Sequence, residues 1–221
     1  MKTKATVGIL VLVFGLAPKI IQAQGAITYL SNLGQPSTGN LAVGSDSWLA
    51  TLFFTGNNAS GYALNSIQLG ITDSSGNPSG FTAMLYEINP AAAIPGNNLG
   101  TLNGSLNPAT AGTYTYTPTS SLTLSQNTYY FIVLTAGTAV ANGAYEWSLA
   151  GANSYNPSSG WNAGAIETSS NGSSWSGLAS EYPQFAINAT VIPEPSVLRL
   201  FSLGGIFLPS IFSRRYANWK L

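Results

Sequence analysis

Three observations predict that residues 24–190 fold as one all-β domain, an antiparallel β-sandwich of jelly-roll-like form. Apolar and polar side chains alternate with a period of two along several short segments, the mark of strands with one face buried. Clusters of Gly, Asn, Pro and Ser punctuate those segments, supplying the backbone conformations that tight turns need. No internal window carries a sustained apolar stripe at helical spacing.

In chain order, the first strand is expected over residues 27–33. Residues 48–54 place Trp48, Ala50, Leu52 and Phe54 on one face, and Gly56-Asn57-Asn58 then marks a turn. In residues 66–72, Ile67, Leu69 and Ile71 share one face and Ser66, Gln68 and Thr72 the other. A turn-rich run, 73–80, leads to residues 81–88, apolar on both faces except at Thr82 and Glu87 and so expected to be a central strand. Pro95-Gly96-Asn97-Asn98 reads as another turn. Tyr114 and Tyr116 alternate with Thr113, Thr115 and Thr117, and residues 129–134 (YYFIVL) form a second two-faced, central segment. Tyr145, Trp147 and Leu149 share a face of the next strand; a turn over 156–160 and a weaker strand near 165–168 follow. Residues 185–191 close the body with Phe185, Ile187, Ala189 and Val191 inward and Ala186, Asn188 and Thr190 outward. The total is about nine strands.

Composition narrows the chemistry. The chain has 221 residues, 45% apolar, enough to bury a core, but only 6% are charged, against about 25% in ordinary soluble proteins. It contains no Cys and no His, which excludes zinc fingers, iron–sulfur clusters, disulfides, a Cys nucleophile and a Ser-His-Asp triad. Every basic residue lies near an end: Lys2, Lys4 and Lys19, then Arg199, Arg214, Arg215 and Lys220. Between them stand Asp46, Asp73, Glu87, Glu146, Glu167 and Glu181 with no Lys or Arg, so the body carries a formal charge of −6. Such a body cannot neutralise phosphates, which argues against nucleic acid, and it repels anionic lipid and acidic polysaccharide.

The ends read as sorting signals. Residues 1–23 have the layout of a secretory signal peptide: Lys2 and Lys4, the apolar run 7–16, and Ala23 before a cleavage point. That run is too short to span a hydrocarbon core of roughly 30 Å, so removal is expected and not anchoring. At the other end, residues 191–221 hold Pro193-Glu194-Pro195, an apolar stretch over 197–212, and the basic stop Arg214-Arg215. This resembles the PEP-CTERM sorting signal of Gram-negative bacteria. The resemblance implies recognition by an exosortase, a membrane enzyme thought to cleave near the motif, and a role beside exopolysaccharide or biofilm at the cell surface. The prolines would hold the chain extended outside the bilayer, with the arginines on the cytoplasmic side. Arg199 within the apolar stretch and Pro209 near its end depart from the pattern; an anchor helix that is never cut would have the same composition.

The body also resembles the small choice-of-anchor domains of PEP-CTERM proteins, particularly the R type. The resemblance is carried by Ser31-Asn32-Leu33-Gly34, residues 48–55, Gly76 to Phe81, 124–134, 140–147 and 184–189. These stretches are mostly turns and strand faces, and the family has no assigned activity to transfer.

Candidate chemistry in the body is sparse. A glycosidase can work with two carboxylates alone, roughly 5–9.5 Å apart, for which Glu87, Glu146, Glu167 and Glu181 are the candidates, although scattered solubilising charges fit them better. Asp73-Ser74-Ser75-Gly76-Asn77 offers oxygen ligands to calcium but lacks the spacing and distal Glu of an EF-hand, so it reads as a plain Asx-type turn. No cofactor or metal is expected. The sequons at Asn58, Asn103, Asn171 and Asn188 read as by-products of a surface rich in Asn, Ser and Thr. For recognition, Trp161, Trp175 and Tyr155 lie in turn-rich segments, where they could stack on a neutral polysaccharide or cap the ends of the sandwich. Trp48 and Trp147, on strand faces, are expected in the core. The reading is an exported, non-enzymatic surface or matrix protein, with a neutral-polysaccharide-binding module as the alternative and a carboxylate-only glycosidase the least favoured.

Overall fold

The computed structural model describes residues 25–151, 155–178 and 182–194. The segment 1–23, Glu181, Pro195 and the tail with Arg214 and Arg215 lie outside the described residues. The strands are β1 (Ile27–Ser31), β2 (Ser37–Val43), β3 (Trp48–Phe54), β4 (Tyr62–Gly76), β5 (Thr82–Asn89), β6 (Ile94–Asn103), β7 (Gly112–Pro118) and β8 (Thr123–Leu124). They continue as β9 (Tyr129–Thr135), β10 (Gly143–Ala150), β11 (Asn156–Pro157), β12 (Asn162–Ser169), β13 (Ser176–Leu178), β14 (Tyr182–Pro183) and β15 (Phe185–Val191). Among the described residues the one helical element is the 3-10 turn Val140–Asn142.

All pairings are antiparallel and join into one curled sheet, in the order β11-β1-β15-β4-β7-β6-β5-β9-β3-β12-β13, with β10 against β4, β2 and β14, and β8 against β4. Curling brings the two ends of this order onto one core. Ile67, Leu69, Trp147, Phe185 and Ile187 enter it from the β4–β15–β10 half, and Leu49, Phe53, Leu85, Ile132 and Leu134 from the β5–β9–β3 half. Trp147 is fully buried, its indole N–H donating to Gln184 O at 3.0 Å.

The two-faced segments are central, as expected: β5 lies between β6 and β9, and β9 between β5 and β3. Their second apolar face has its own use. On β9, Tyr130, Ile132 and Leu134 point into the main core, while Phe131 and Val133 join Ala50 and Met84 in an outer layer with Trp48, Leu52, Tyr86, Ile88 and Trp175. Trp48 thus sits on this outer layer, partly exposed, and not in the main core, because Leu49 and Phe53 take the inward positions of β3.

Three expected turns are corrected. Residues 73–76 continue β4, paired with β10 through Ser75↔Ala144 and Gly76↔Gly143, so the turn begins only after Gly76. Pro95-Gly96-Asn97-Asn98 lies inside β6; two register shifts in the β5–β6 ladder accommodate the proline and glycine, and the reversal falls before Ile94, where Ala93 takes a φ of 56°. In 156–160, Asn156 and Pro157 pair with β1, leaving Ser159 and Gly160 as the turn. Strand β2 escapes the sequence pattern because it is an edge, paired only with β10, and its first four residues are exposed.

The first and last strands run side by side, with Ile27 opposite Ala189, so residues 25–26 and 192–194 leave from the same end of the body.

Candidate functional site

That same end carries a groove. One hollow of about 450 Å³ is bordered by Leu52, Phe54 and Tyr129 on one side and by Gly160, Trp161 and Asn162 on the other. A second, of about 340 Å³, lies between Asn57, Asn127 and Ser159 and meets the first at Gly160. Strand alternation explains the aromatic wall. Phe54 and Tyr129 are opposed residues of β3 and β9 and both point away from the main core, their ring centroids 4.7 Å apart and tilted at 47°. Tyr129 is 45% exposed, the most open large aromatic among the described residues.

The rim is held by hydrogen bonds. Thr55 Oγ1 donates to Ser125 O (2.6 Å) and accepts from Thr128 N (3.0 Å), and Asn127 N donates to Gly56 O (2.9 Å). Asn127 and Ser159 face each other across the second hollow with left-handed backbones, φ 48° and 53°. Gly56 sits so tightly between them that a Cβ would fall 2.3 Å from Ser159 O and 2.6 Å from the Tyr62 hydroxyl. Gly56→Ala should therefore lower stability by roughly 1–3 kcal/mol in chemical denaturation, since backbone must move to admit one methyl group.

The three sequence-predicted recognition residues do not converge on this groove. Trp161 borders it by one edge but is 2% exposed. Its ring stacks on Tyr29 (4.9 Å, 21°), runs nearly parallel to Phe53 (6.1 Å, 3°) and meets Tyr62 edge-on (5.0 Å, 74°). Of the two places its segment allowed, a ring open to a ligand or a buried cap, Trp161 takes the buried one for a local reason. Ser158 N bonds to Tyr29 O (2.8 Å) and Trp161 N to Ser158 O (3.1 Å), so the turn folds its following residue into the core. The Trp161 Nε1 is buried without a hydrogen-bond partner among the described residues. Tyr155 packs on Phe185 (5.1 Å) and Tyr182 (6.2 Å) and donates its hydroxyl to Pro183 O (2.8 Å); burial holds its phenol well above the usual range. Trp175 lies partly buried in the outer layer with Trp48, towards the other end of β3. Tyr129, hidden in the sequence within YYFIVL, is the exposed ring instead; its signal was its place as the first residue of the strand, just after the Asn127 turn.

Among the described residues the acids are dispersed. Glu146 lies between Ala42 and Thr72 on the outer side of the β2–β10–β4 ladder, and Glu167 beside Ala50 on the outer side of β3–β12. The core lies between these two surfaces, so the two carboxylates do not pair. Asp46 accepts the Val140 N–H and Asp73 the Ala111 N–H, each at 2.8 Å, and Glu87 accepts from the Asn97 amide. Among the described residues no three acids gather as metal ligands, and no helix is long and apolar enough to cross a membrane.

Burial raises the Glu146 carboxyl above its usual 4.5, an effect a Ser75 hydrogen bond partly offsets, and burial raises Glu167 likewise. An acid whose folded pKa is raised binds its proton more tightly in the native state. Stability should therefore rise as pH falls from neutrality through the raised values towards 4.5, and stop rising below it. Thermal scans should show a higher midpoint near pH 5 than at pH 7, and the double variant Glu146→Gln, Glu167→Gln should flatten that rise; a midpoint that drops steadily on acidification would contradict it.

The chain matches no protein-family model, and no curated protein resembles it closely enough to count as a relative.

Proposed function

We propose that this chain is an exported, non-enzymatic surface or matrix protein, a β-sandwich of jelly-roll-like form sorted through a PEP-CTERM-type tail. In this reading residues 1–23 direct export and are removed, and residues 191–221 place the body at the outer surface of a Gram-negative envelope, beside exopolysaccharide. An exosortase-type enzyme acts on the tail near Pro193-Glu194-Pro195, and the membrane is a partner only through the apolar stretch that follows.

One observation carries most of the support. Ile192 is the last of the described residues tied to the body, its N–H donating to Gly61 O (3.1 Å) and its carbonyl accepting from the Asn58 amide (3.2 Å); Pro193 and Glu194, directly after it, are exposed. Pro193 has no N–H with which to extend the β15 ladder, so strand pairing stops where the motif starts. A processing enzyme that must take extended chain into its site would meet the motif without unfolding the domain. The absence of His, Cys, Lys and Arg between residues 24 and 192 supports a non-catalytic body.

In the native host, Glu194→Ala should leave the tail attached, giving a heavier protein held in the membrane fraction. If wild type and variant carry the same C-terminus, the motif is not the processing signal.

A further inference from the structure

We propose that the groove between Tyr129 and Asn127 is a binding site for a neutral oligosaccharide, a polyhydroxylated chain that lays one sugar face on Tyr129 and its hydroxyls against the amides of the rim. The two adjoining hollows, about 450 and 340 Å³, fall in the size range of small-ligand sites, about 300–1,000 Å³. Their lining is aromatic and amide in character: Phe54 and Tyr129 on the wall, and the exposed carboxamides of Asn57, Asn127 and Asn162 around it. No charged side chain borders either hollow, and the body has no basic residue, which disfavours phosphates, carboxylates and sulfates as ligands.

Chemistry then selects the occupant. An apolar ligand would leave the rim amides unmatched, and an anion would find no counter-charge. A sugar ring offers an apolar C–H face to Tyr129 and hydroxyls to carboxamides and carbonyls. The rim is also preorganised, since Asn127 and Ser159 hold left-handed backbones on its two sides and Gly56 locks between them, so little ordering remains for binding to supply. The site is separate from Trp175 and Tyr155, uses Trp161 only as a buried support, and does not depend on how the tail is processed.

The test is calorimetric titration of the full chain in a sugar-free detergent with cellohexaose, maltohexaose, mannohexaose and xylohexaose, and with hexagalacturonate as the acidic counterpart. At least one neutral hexasaccharide should bind at roughly millimolar or tighter affinity. That affinity should change less than about twofold between low and physiological salt. Tyr129→Ala should weaken it by about tenfold or more. Asn127→Gly removes the amide while suiting the positive φ, which offsets glycine's greater freedom in the unfolded chain, so it should weaken binding in a chain of near wild-type stability. Trp175→Ala should leave binding unchanged. The proposal is overturned if none of the four neutral sugars binds, if hexagalacturonate binds more tightly, or if binding survives Asn127→Gly in the folded protein or is lost in Trp175→Ala.

Discussion

Trp161→Ala should be among the most damaging single substitutions in the body, lowering stability by about 3–5 kcal/mol and the thermal midpoint by on the order of ten degrees. The indole is 2% exposed and contacts Tyr29, Phe53 and Tyr62 at centroid distances of 4.9, 6.1 and 5.0 Å. Its removal leaves a cavity walled by three rings that cannot collapse together, because they belong to β1, β3 and β4, each fixed by its own ladder. Trp161→Phe is the informative partner. It keeps stacking on Tyr29 and discards the Nε1 that has no partner among the described residues, so it should lose far less than the alanine variant. Equal losses for the two would mean that the ring does not carry the packing assigned to it. Trp175→Ala, on the partly exposed outer layer, should be the milder tryptophan change.

Ile132→Ala or Leu134→Ala should each cost about 2–5 kcal/mol, read as a shift in urea midpoint at unchanged slope. Both side chains are fully buried on the inward face of β9, which hydrogen-bonds to a strand on each side. The surrounding sheet cannot move in to fill the space, since Ile132 is opposed by Thr51 on one side and Leu85 on the other in continuous registers. Tyr129→Ala, on the same strand but 45% exposed, should leave the urea midpoint nearly unchanged. A large loss at residue 129 with a small one at residue 132 would invert the two faces of β9.

The strands were most legible in the sequence where polar and apolar residues alternate strictly. Residues 66–72 and 185–191 fall in β4 and β15 with Ile67 opposite Ile187, both in the main core, as their alternation required. Legibility failed where period two loses its meaning. The apolar pattern of 48–54 and 129–134 cannot say which face is inner when both are covered: Trp48, expected in the core, lies on the outer layer, and nothing in the pattern sets Tyr129 apart as the residue that borders the groove. Proline and glycine in β6 signalled a turn because a bulged ladder uses the same residues as a reversal. The groove itself was invisible for a related reason. Turn composition at 56–58 and 156–160 marks reversals of the chain, but not that Gly56 and Ser159 meet Asn127 at one end of the sheet. The same limit left Trp161 open between an exposed ring and a buried cap: a residue following a turn can carry its ring inward while the turn stays at the surface.

The most direct test of the proposed sorting is the intact mass of the wild-type protein recovered from its native envelope. The mature chain is expected to begin close to Gln24 and to end close to Pro193-Glu194-Pro195, without the apolar stretch or Arg214-Arg215. A mass that includes an unbroken C-terminus through Leu221 would contradict it and make the tail a permanent anchor.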